Sequence, residues 1–228
     1  MDGVLLIDKP AGMTSHDVVA RVRRSLGGVR TGHAGTLDPF ATGLLIVLVG
    51  KATKSQQTMM GLPKRYETVA RLGATSSTGD VEGEIAETGR IPPDPPDLPT
   101  GEIRQRPPMH SAVRVGGERA YKRARRGESF QMPERIVNVT SFTQLWRSSG
   151  EDEDPPGPPR AGFAIECGSG TYVRSLIADL GDAYCLELRR TAIGPFEVAE
   201  AVAPPPRGQS WSDPPLIELE RALELARH

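Results

Sequence analysis

Gly32-His-Ala-Gly-Thr-Leu-Asp-Pro-Phe-Ala-Thr-Gly-Leu-Leu-Ile-Val-Leu-Val-Gly50 divides into two parts with different physical signatures. Leu44 to Val49 is a continuous apolar run closed by Gly43 and Gly50, the pattern of a central strand buried on both faces. Ahead of it, Arg30 to Thr42 is rich in Gly, Thr and His and follows neither apolar period, which marks a loop, and loops of this kind carry sites. Asp38 stands inside that loop. Pro39 disfavours the helical region for the residue before it, so Asp38 is held extended, while Gly32, Gly35 and Gly43 allow close approach of another backbone. A bulky ligand can reach a carboxylate presented in this way. Taken alone, the residue reads more simply as the cap of a turn, a common use of Asp before Pro.

Outward from this stretch, Gly3 to Asp8 reads as a short buried strand ended by Lys9-Pro10-Ala11-Gly12. Thr14 precedes Asp17 by three positions, a capping-box-like start, and Val18, Val19, Val22 and Leu26 share one helical face until Gly27-Gly28. Lys51 to Met60 predicts a helix, Tyr66 to Gly73 a strand with one partly solvated face, and Asp80 with Gly83 a turn. Five prolines make Thr88 to Gly101 an extended surface loop. Gly116-Gly117 separates a short strand at Ala112 to Val115 from Glu118 to Gly127, the densest positive run. Glu151 to Pro159 is an acidic, Pro-rich excursion. Phe163, Ile165 and Cys167 alternate as in a strand, and Val173, Leu176, Ile177 and Leu180 follow helical spacing until Gly181. Leu186 to Ile193 predicts another strand, Pro204 to Pro215 a loop, and Leu216 to Ala226 a C-terminal helix. Strands interspersed with uneven helices, with no regular βαβ period and no internal repeat, predict an α+β fold with a mixed sheet and argue against a doubly wound one.

The 228 residues are 37% hydrophobic and 25% charged, a composition that folds. Size scaling lets about 70% of the unfolded surface be buried without disulfides, enough for a single domain over residues 1–228. The apolar run from Leu44 to Val49 is far short of the ~20 residues of a membrane helix, and Asp2 is no basic signal region, so a cytoplasmic protein is expected, with a monomer as the default. Cys167 and Cys185 lack a C-x-x-C context and are expected as buried thiols; His16, His33, His110 and His228 are scattered without zinc spacing, so no metal is expected. Net charge is −1, but residues 1–135 hold 20 Lys and Arg against 15 Asp and Glu, whereas 136–228 hold 8 against 14. The first part is the candidate polyanion face. A phosphate loop at Gly43 to Lys51 fails because Leu45 and Ala52 stand where Gly and Ser or Thr are required. Val173 likewise breaks a dinucleotide fingerprint begun at Gly168-Ser169-Gly170, and Ser169 and Ser175 lack a nucleophile-elbow context.

Several separate motifs occur in one order: Gly3-Val-Leu-Leu-Ile-Asp-Lys-Pro10, Gly32-His-Ala-Gly-Thr-Leu-Asp-Pro39 with Ala41-Thr-Gly43, Lys64-Arg-Tyr66, Arg71-Leu-Gly73, Thr78 with Asp80, Gln105 to Ala112, and Gly170-Thr-Tyr-Val-Arg174. In this order they resemble the bacterial tRNA pseudouridine synthase B family, the enzymes that isomerise uridine 55 in the T-loop of tRNA. The resemblance spans residues 3 to about 195 and implies a pseudouridine synthase fold, an α+β domain with a mixed, largely antiparallel central β-sheet flanked by helices and loops. It also implies tRNA, through its T-stem-loop, as substrate and partner, with no cofactor.

The reaction breaks the C1′–N1 bond, turns the uracil and rejoins C1′ to C5, with no net redox change. It needs a group that can bond to or stabilise an electron-poor carbon and leave again, and an ionised carboxylate is suitable. The resemblance assigns this role to Asp38, leaving open attack at C6, attack at C1′ or a glycal route. A carboxylate shielded from water needs a fixed cation to stay charged, and the resemblance places Arg174 beside it. The stacked target base must be extruded. By resemblance His33 stacks against displaced nucleotides and Tyr66 on the flipped uracil, each offering an aromatic plane to a base. Without the family, a loop histidine bonding its own backbone and a tyrosine packed in a sheet are the simpler readings. Lys9, Asp80, Tyr172 and Leu188 also fall on family positions, as support near the pocket or as its apolar wall. Arg119, Lys122, Arg123 and Arg126, with Lys64, Arg65 and the helix bearing Arg21 to Arg24, are expected to bind phosphates, leaving recognition to T-loop shape and making binding salt-sensitive.

The family often has a helix before its Gln-x-Pro-Pro motif, whereas Thr88 to Gly101 is short and Pro-rich, and Arg114 stands where lysine is common. Many members end in a PUA domain, for which the 35 residues after Ile193 are too few. Two other functions compete: a noncatalytic RNA-binding or RNA-folding module, against which Asp38, Tyr66 and Arg174 argue, and a guide-RNA-dependent relative.

Overall fold

The computed structural model describes residues 1–152 and 155–227. Residues 153 and 154 of the expected 151–159 excursion, and His228, lie outside the described residues. The strands are β1 Gly3–Lys9, β2 Thr31–His33, β3 Thr42–Val49, β4 Lys64–Leu72, β5 Ala74–Ser76, β6 Ile85–Glu87, β7 Gly101–Gln105, β8 Arg114–Val115, β9 Glu118–Arg119, β10 Arg135–Ser148, β11 Arg160–Cys167, β12 Ala183–Ile193 and β13 Phe196–Glu197. The α-helices are α1 Ser15–Ser25, α2 Gln56–Gly61, α3 Ala120–Arg125, α4 Val173–Ala178 and α5 Leu219–Leu225. The chain forms two compact units, Met1–Tyr66 with Leu188–His228, and Glu67–Glu187. It passes from one to the other within β4 and within β12.

In the first unit β1 and β3 pair antiparallel from Gly3↔Val49 to Lys9↔Gly43, β3 and β12 pair parallel at Arg189↔Thr42 and Arg190↔Gly43, and β2 and β13 extend this mixed sheet. Alternating side chains of the two apolar runs face opposite sides. Leu5, Ile7, Leu45, Val47 and Val49 meet Val18 and Val22 of α1, while Val4, Leu6, Leu44, Ile46 and Leu48 meet Met59, Phe196 and Ala222. Full burial of each such aliphatic side chain contributes about 1.5–3 kcal/mol, so this double-faced sheet is the rigid base of the unit. Thr14 caps α1 as its spacing predicts: its hydroxyl accepts from the Asp17 N–H at 3.0 Å, and Asp17 Oδ2 accepts from the Thr14 N–H at 3.0 Å.

In the second unit the strand order is β12-β4-β11-β10-β7, with β10 antiparallel to both neighbours, and β5–β6 and β8–β9 form separate two-stranded ribbons. Phe142 and Phe163 meet edge to face, with ring centroids 5.6 Å apart, and Val137, Val139, Ile165, Leu176 and Ile177 are also buried. Cys167 and Cys185 are buried and are not joined in a disulfide. The architecture is α+β with a mixed, mostly antiparallel sheet.

Several local expectations need correction. The loop expected at Arg30 to Thr42 contains β2, because Thr31–His33 finds hydrogen-bond partners on β3. The helix expected at Lys51 to Met60 splits into a 3-10 segment, Gly50–Ser55, and α2. The strand expected at Ala112 to Val115 is reduced to Arg114–Val115. The C-terminal helix begins at Leu219, since Ile217 exchanges two hydrogen bonds with Val4 at 2.9 Å. The strands β5, β6, β7, β9, β10 and β13 are additions. Among the described residues, no helix is long and apolar enough to cross a membrane, and no group of three His, Cys, Asp or Glu is placed to hold a metal ion.

Candidate active site

The first unit carries Lys9, His33, Asp38, Lys64, Arg65, Tyr66 and Leu188. Asp38 is half-buried in the irregular segment between β2 and β3. Such a segment lacks a strand ladder, so its backbone groups must find other partners. Ser15, at the start of α1, accepts from Leu37 N–H at 2.9 Å and donates to Leu37 O at 3.2 Å. Gly12 N–H donates to Pro39 O at 2.8 Å, and Ala41 N–H to Asp38 O at 3.2 Å. Lys9 is fully buried, and its ammonium donates to Pro10 O, Met13 O and Pro39 O at 2.9, 2.7 and 3.1 Å. Through these bonds it ties the turn after β1 to the Asp38 loop. Leu188 is a buried apolar residue of β12.

His33 ends β2. Its ring meets His16 edge to face at 5.5 Å, and its Nδ1 is buried without a hydrogen-bond partner among the described residues. Burial pushes its imidazole below the ordinary value, the charges of His16 and Arg190 add to this, and the nearby Gly35 backbone opposes it. The ring is therefore held neutral near neutral pH, a state suited to stacking. Tyr66 is half-buried on β4, on the same face as Lys64 and Thr68. Lys64 is not the solvent-facing phosphate ligand expected: it is buried, and its ammonium donates to Met60 O and Leu62 O. Arg65 is exposed and paired with Glu197.

The second unit carries Asp80, Tyr172, Arg174 and the basic run. Arg174 lies in the first turn of α4 with its side chain 3% exposed. Its guanidinium donates to Asp80 Oδ2 at 2.9 Å, Thr78 O at 2.8 Å and His110 O at 3.0 Å. Asp80 Oδ1 accepts in turn from Thr78 Oγ1 at 2.6 Å and Glu82 N–H at 3.0 Å. A buried charge is retained only when paired and hydrogen-bonded, and this network pairs Arg174 with Asp80 and gives both terminal guanidinium nitrogens acceptors, fixing the direction of the arginine. Gln105, also buried, grips the Tyr172 backbone from both sides, accepting from its N–H at 2.8 Å and donating to its carbonyl at 3.0 Å. The Tyr172 ring has the Arg135 guanidinium 5.7 Å from its centroid. On α3 and its flanks, Arg119 and Lys122 are exposed, Arg123 pairs with Glu128 and lies over Phe130, and Arg126 is held by both Glu118 and Glu128.

Arg190 is the residue sequence reasoning missed. Alternation along β12 puts it on the buried side with Leu188 and Ala192, so an arginine within an inward-facing triplet was the available signal.

Residues 23–173 match the model of the TruB family pseudouridylate synthase N-terminal domain. Over 232 residues the chain is 44% identical to the tRNA pseudouridine synthase B of Thermobifida fusca, covering 95% of this chain and 78% of that protein. It is 43% identical to that of Opitutus terrae, with 89% and 85% covered. Among solved structures it is similar to a chain of a Cbf5-Nop10-Gar1 complex (31% identity, TM-score 0.62, 86% of this chain and 50% of that one). A chain of an H/ACA RNP bound to a substrate RNA containing 2′-deoxyuridine is also similar (29%, TM-score 0.58, 86% and 48%), so the chain spans about half the length of these solved chains. With a family model matched over most of its length and relatives above 40% identity, the chain belongs to the TruB family of pseudouridylate synthases.

Proposed function

We propose that the protein isomerises uridine to pseudouridine in tRNA, at position 55 of the T-loop. The target base is flipped out, the Asp38 carboxylate acts on the sugar or the ring, and the glycosidic bond is remade from C1′ to C5. Uridine and pseudouridine are isomers: the proton lost from C5 balances the one gained at N1, and no electrons are exchanged. The observation that carries this reading is the loop bearing Asp38. Asp38 is half-buried on an irregular segment whose backbone is fastened by Ser15 and Lys9, in a chain 44% identical to a tRNA pseudouridine synthase B. Tyr66 is proposed to stack on the flipped uracil, His33 to fill space left in the RNA, and Arg174 to supply the fixed cation the reacting carboxylate requires. The Asp80 network supports the last role by holding the guanidinium in one direction. Tyr172 and Leu188 are proposed as walls of the pocket, and Arg119 and Lys122 as phosphate contacts. Higher identity and coverage against tRNA pseudouridine synthase B proteins than against the Cbf5 chain favour direct action on tRNA over guide-directed action.

The test is incubation of the purified protein with an unmodified tRNA transcript, followed by mapping of pseudouridine, alongside Asp38→Asn and Asp38→Ala. Product at position 55 with wild type, and none with either variant despite retained RNA binding, is the expected result. Product formed by Asp38→Ala would remove the carboxylate from the mechanism, and a wild-type protein that binds tRNA without modifying it would reduce the chain to an RNA-binding module.

A further inference from the structure

We infer that Arg190 is a positioning residue for the reaction, clasping the two ends of the Asp38 loop. This rests on the reading of Asp38 as the reacting carboxylate. Arg190 is 1% exposed, among the largest fully buried side chains of the molecule. Its Nε donates to Leu44 O at 2.7 Å, just after the loop, while its terminal nitrogens donate to Thr36 O at 3.4 Å and Gly35 O at 3.2 Å, just before Asp38. Its backbone closes on the same segment. In the parallel register Arg190 stands beside Gly43, and a Cβ built on Gly43 would lie 2.2 Å from Arg190 O. One residue thus holds the loop before and after the aspartate, through side chain and main chain together.

The chemistry of the group explains why it is arginine. Burying a cation is costly, and no ion pair of Arg190 with a carboxylate occurs among the described residues. An apolar residue would fill the space at lower cost if packing were the only requirement. Two of the acceptors, Gly35 O and Thr36 O, are main-chain carbonyls of an irregular segment, and the third, Leu44 O, belongs to β3 beyond the loop. A planar guanidinium meets them with fixed, divergent N–H groups, whereas an ammonium is a compact point donor. Lys9 fastens Pro39 O from the other side, so the aspartate lies between two buried cationic clamps. Positional error of about 1 Å at a reacting group costs on the order of 100-fold in rate, which is the scale on which such a clasp should act.

The experiment uses the full chain as Arg190→Met and Arg190→Lys, with folding checked by thermal melting. Single-turnover pseudouridine formation is measured at saturating enzyme, tRNA affinity by filter binding, and amide hydrogen exchange over residues 34–41. Arg190→Met is expected to lose about 100-fold in single-turnover rate while its Kd for tRNA stays within about threefold, a split that a general loss of folded protein does not produce. Arg190→Lys should recover part of that rate, and exchange at the Leu37 and Ala41 amides should quicken in both while the β1–β3 amides stay protected. A folded Arg190→Met with a rate within about threefold of wild type, or with unchanged exchange over 34–41, overturns the inference. If Arg190→Met does not fold, the same two readouts on Arg190→Lys decide it. Absence of product from wild type would instead strike the functional reading, and the exchange measurement would still judge the clasp.

Discussion

Gly43→Ala is the sharpest perturbation of the loop. Gly43 adopts φ +103°, a region that non-glycine residues occupy at a cost of about 1–3 kcal/mol. The new methyl would also lie 2.2 Å from Arg190 O, 2.7 Å from its N and 2.9 Å from its C. All three are backbone atoms, so no side-chain rotation relieves the overlap, and β3 must move away from β12 by about 1 Å to restore ordinary contact near 3.4 Å. That shift strains the parallel pairing at Arg190↔Gly43 and the hydrogen bond from Arg190 Nε to Leu44 O. Together the backbone and steric contributions come to about 4 kcal/mol or more. Gly12→Ala is the matched control: its φ is +78° and nothing lies within 4 Å of the added carbon, so only the backbone cost of about 1–2 kcal/mol applies. Urea unfolding followed by far-UV circular dichroism measures both variants, with single-turnover pseudouridine formation on the folded fraction. Gly43→Ala should be less stable than Gly12→Ala by about 2 kcal/mol or more, and should be slower than wild type even where folded. A difference under about 0.5 kcal/mol would refute the close approach of Arg190 to Gly43, and with it the account of how the loop is closed.

The Asp80–Arg174 pair gives a second outcome: Asp80→Ala removes one member of a buried, hydrogen-bonded ion pair and should cost about 3 kcal/mol in urea unfolding, with Asp80→Asn costing less. For His33, whose imidazole burial holds below 6.5, the unfolded chain takes the proton first, so stability falls as pH drops from above 6.5 toward the folded-state value. His33→Gln should flatten that fall in urea midpoints measured on either side of pH 6.5. In filter binding to tRNA, Arg119→Ala and Lys122→Ala should each reduce the salt slope by about one charge. Arg126→Ala should change it less, because Glu118 and Glu128 already occupy its guanidinium. Thr14→Ala should cost about 1 kcal/mol by removing the α1 cap, again read by urea unfolding.

The elements legible in sequence are those whose signal is local. The apolar runs of β1 and β3 name strands buried on both faces, and Thr14 with Asp17 names the start of α1. The 14-residue β10 escaped because its period is broken. Its buried residues are Val137, Val139 and Phe142, a step of two and then three, and the pairing with β11 slips between Val139 and Ser141 and again between Gln144 and Trp146. Each bulge inserts one residue and reverses the faces, so a test for strict alternation loses phase. The late start of α5 has a different cause: Ile217 is drawn into pairing with Val4, a contact 213 positions away that no local pattern contains.

The same division runs through the candidate site. Asp38, His33 and Tyr66 became candidates through the order of the motifs that contain them, since taken alone each has a simpler reading as a turn cap, a loop histidine or a tyrosine packed in a sheet. The residues that hold them do not announce themselves. Arg189 and Arg190 are adjacent and chemically identical, yet the pleat of β12 sends them to opposite sides. Arg189 reaches the half-exposed Asp8 carboxylate with two bonds of 2.8 and 3.1 Å, a pairing that solvent screens. Arg190 turns inward to three carbonyls. An irregular loop satisfies little of its own main chain, so a fold that displays a carboxylate on such a loop must bring donors from elsewhere in the chain, and here they come from positions 9, 12, 15 and 190. The burial of Lys9 and Arg190 follows from the same requirement: a donor serving enclosed carbonyls must itself be enclosed, and a cation is tolerated there because three carbonyl dipoles meet each one.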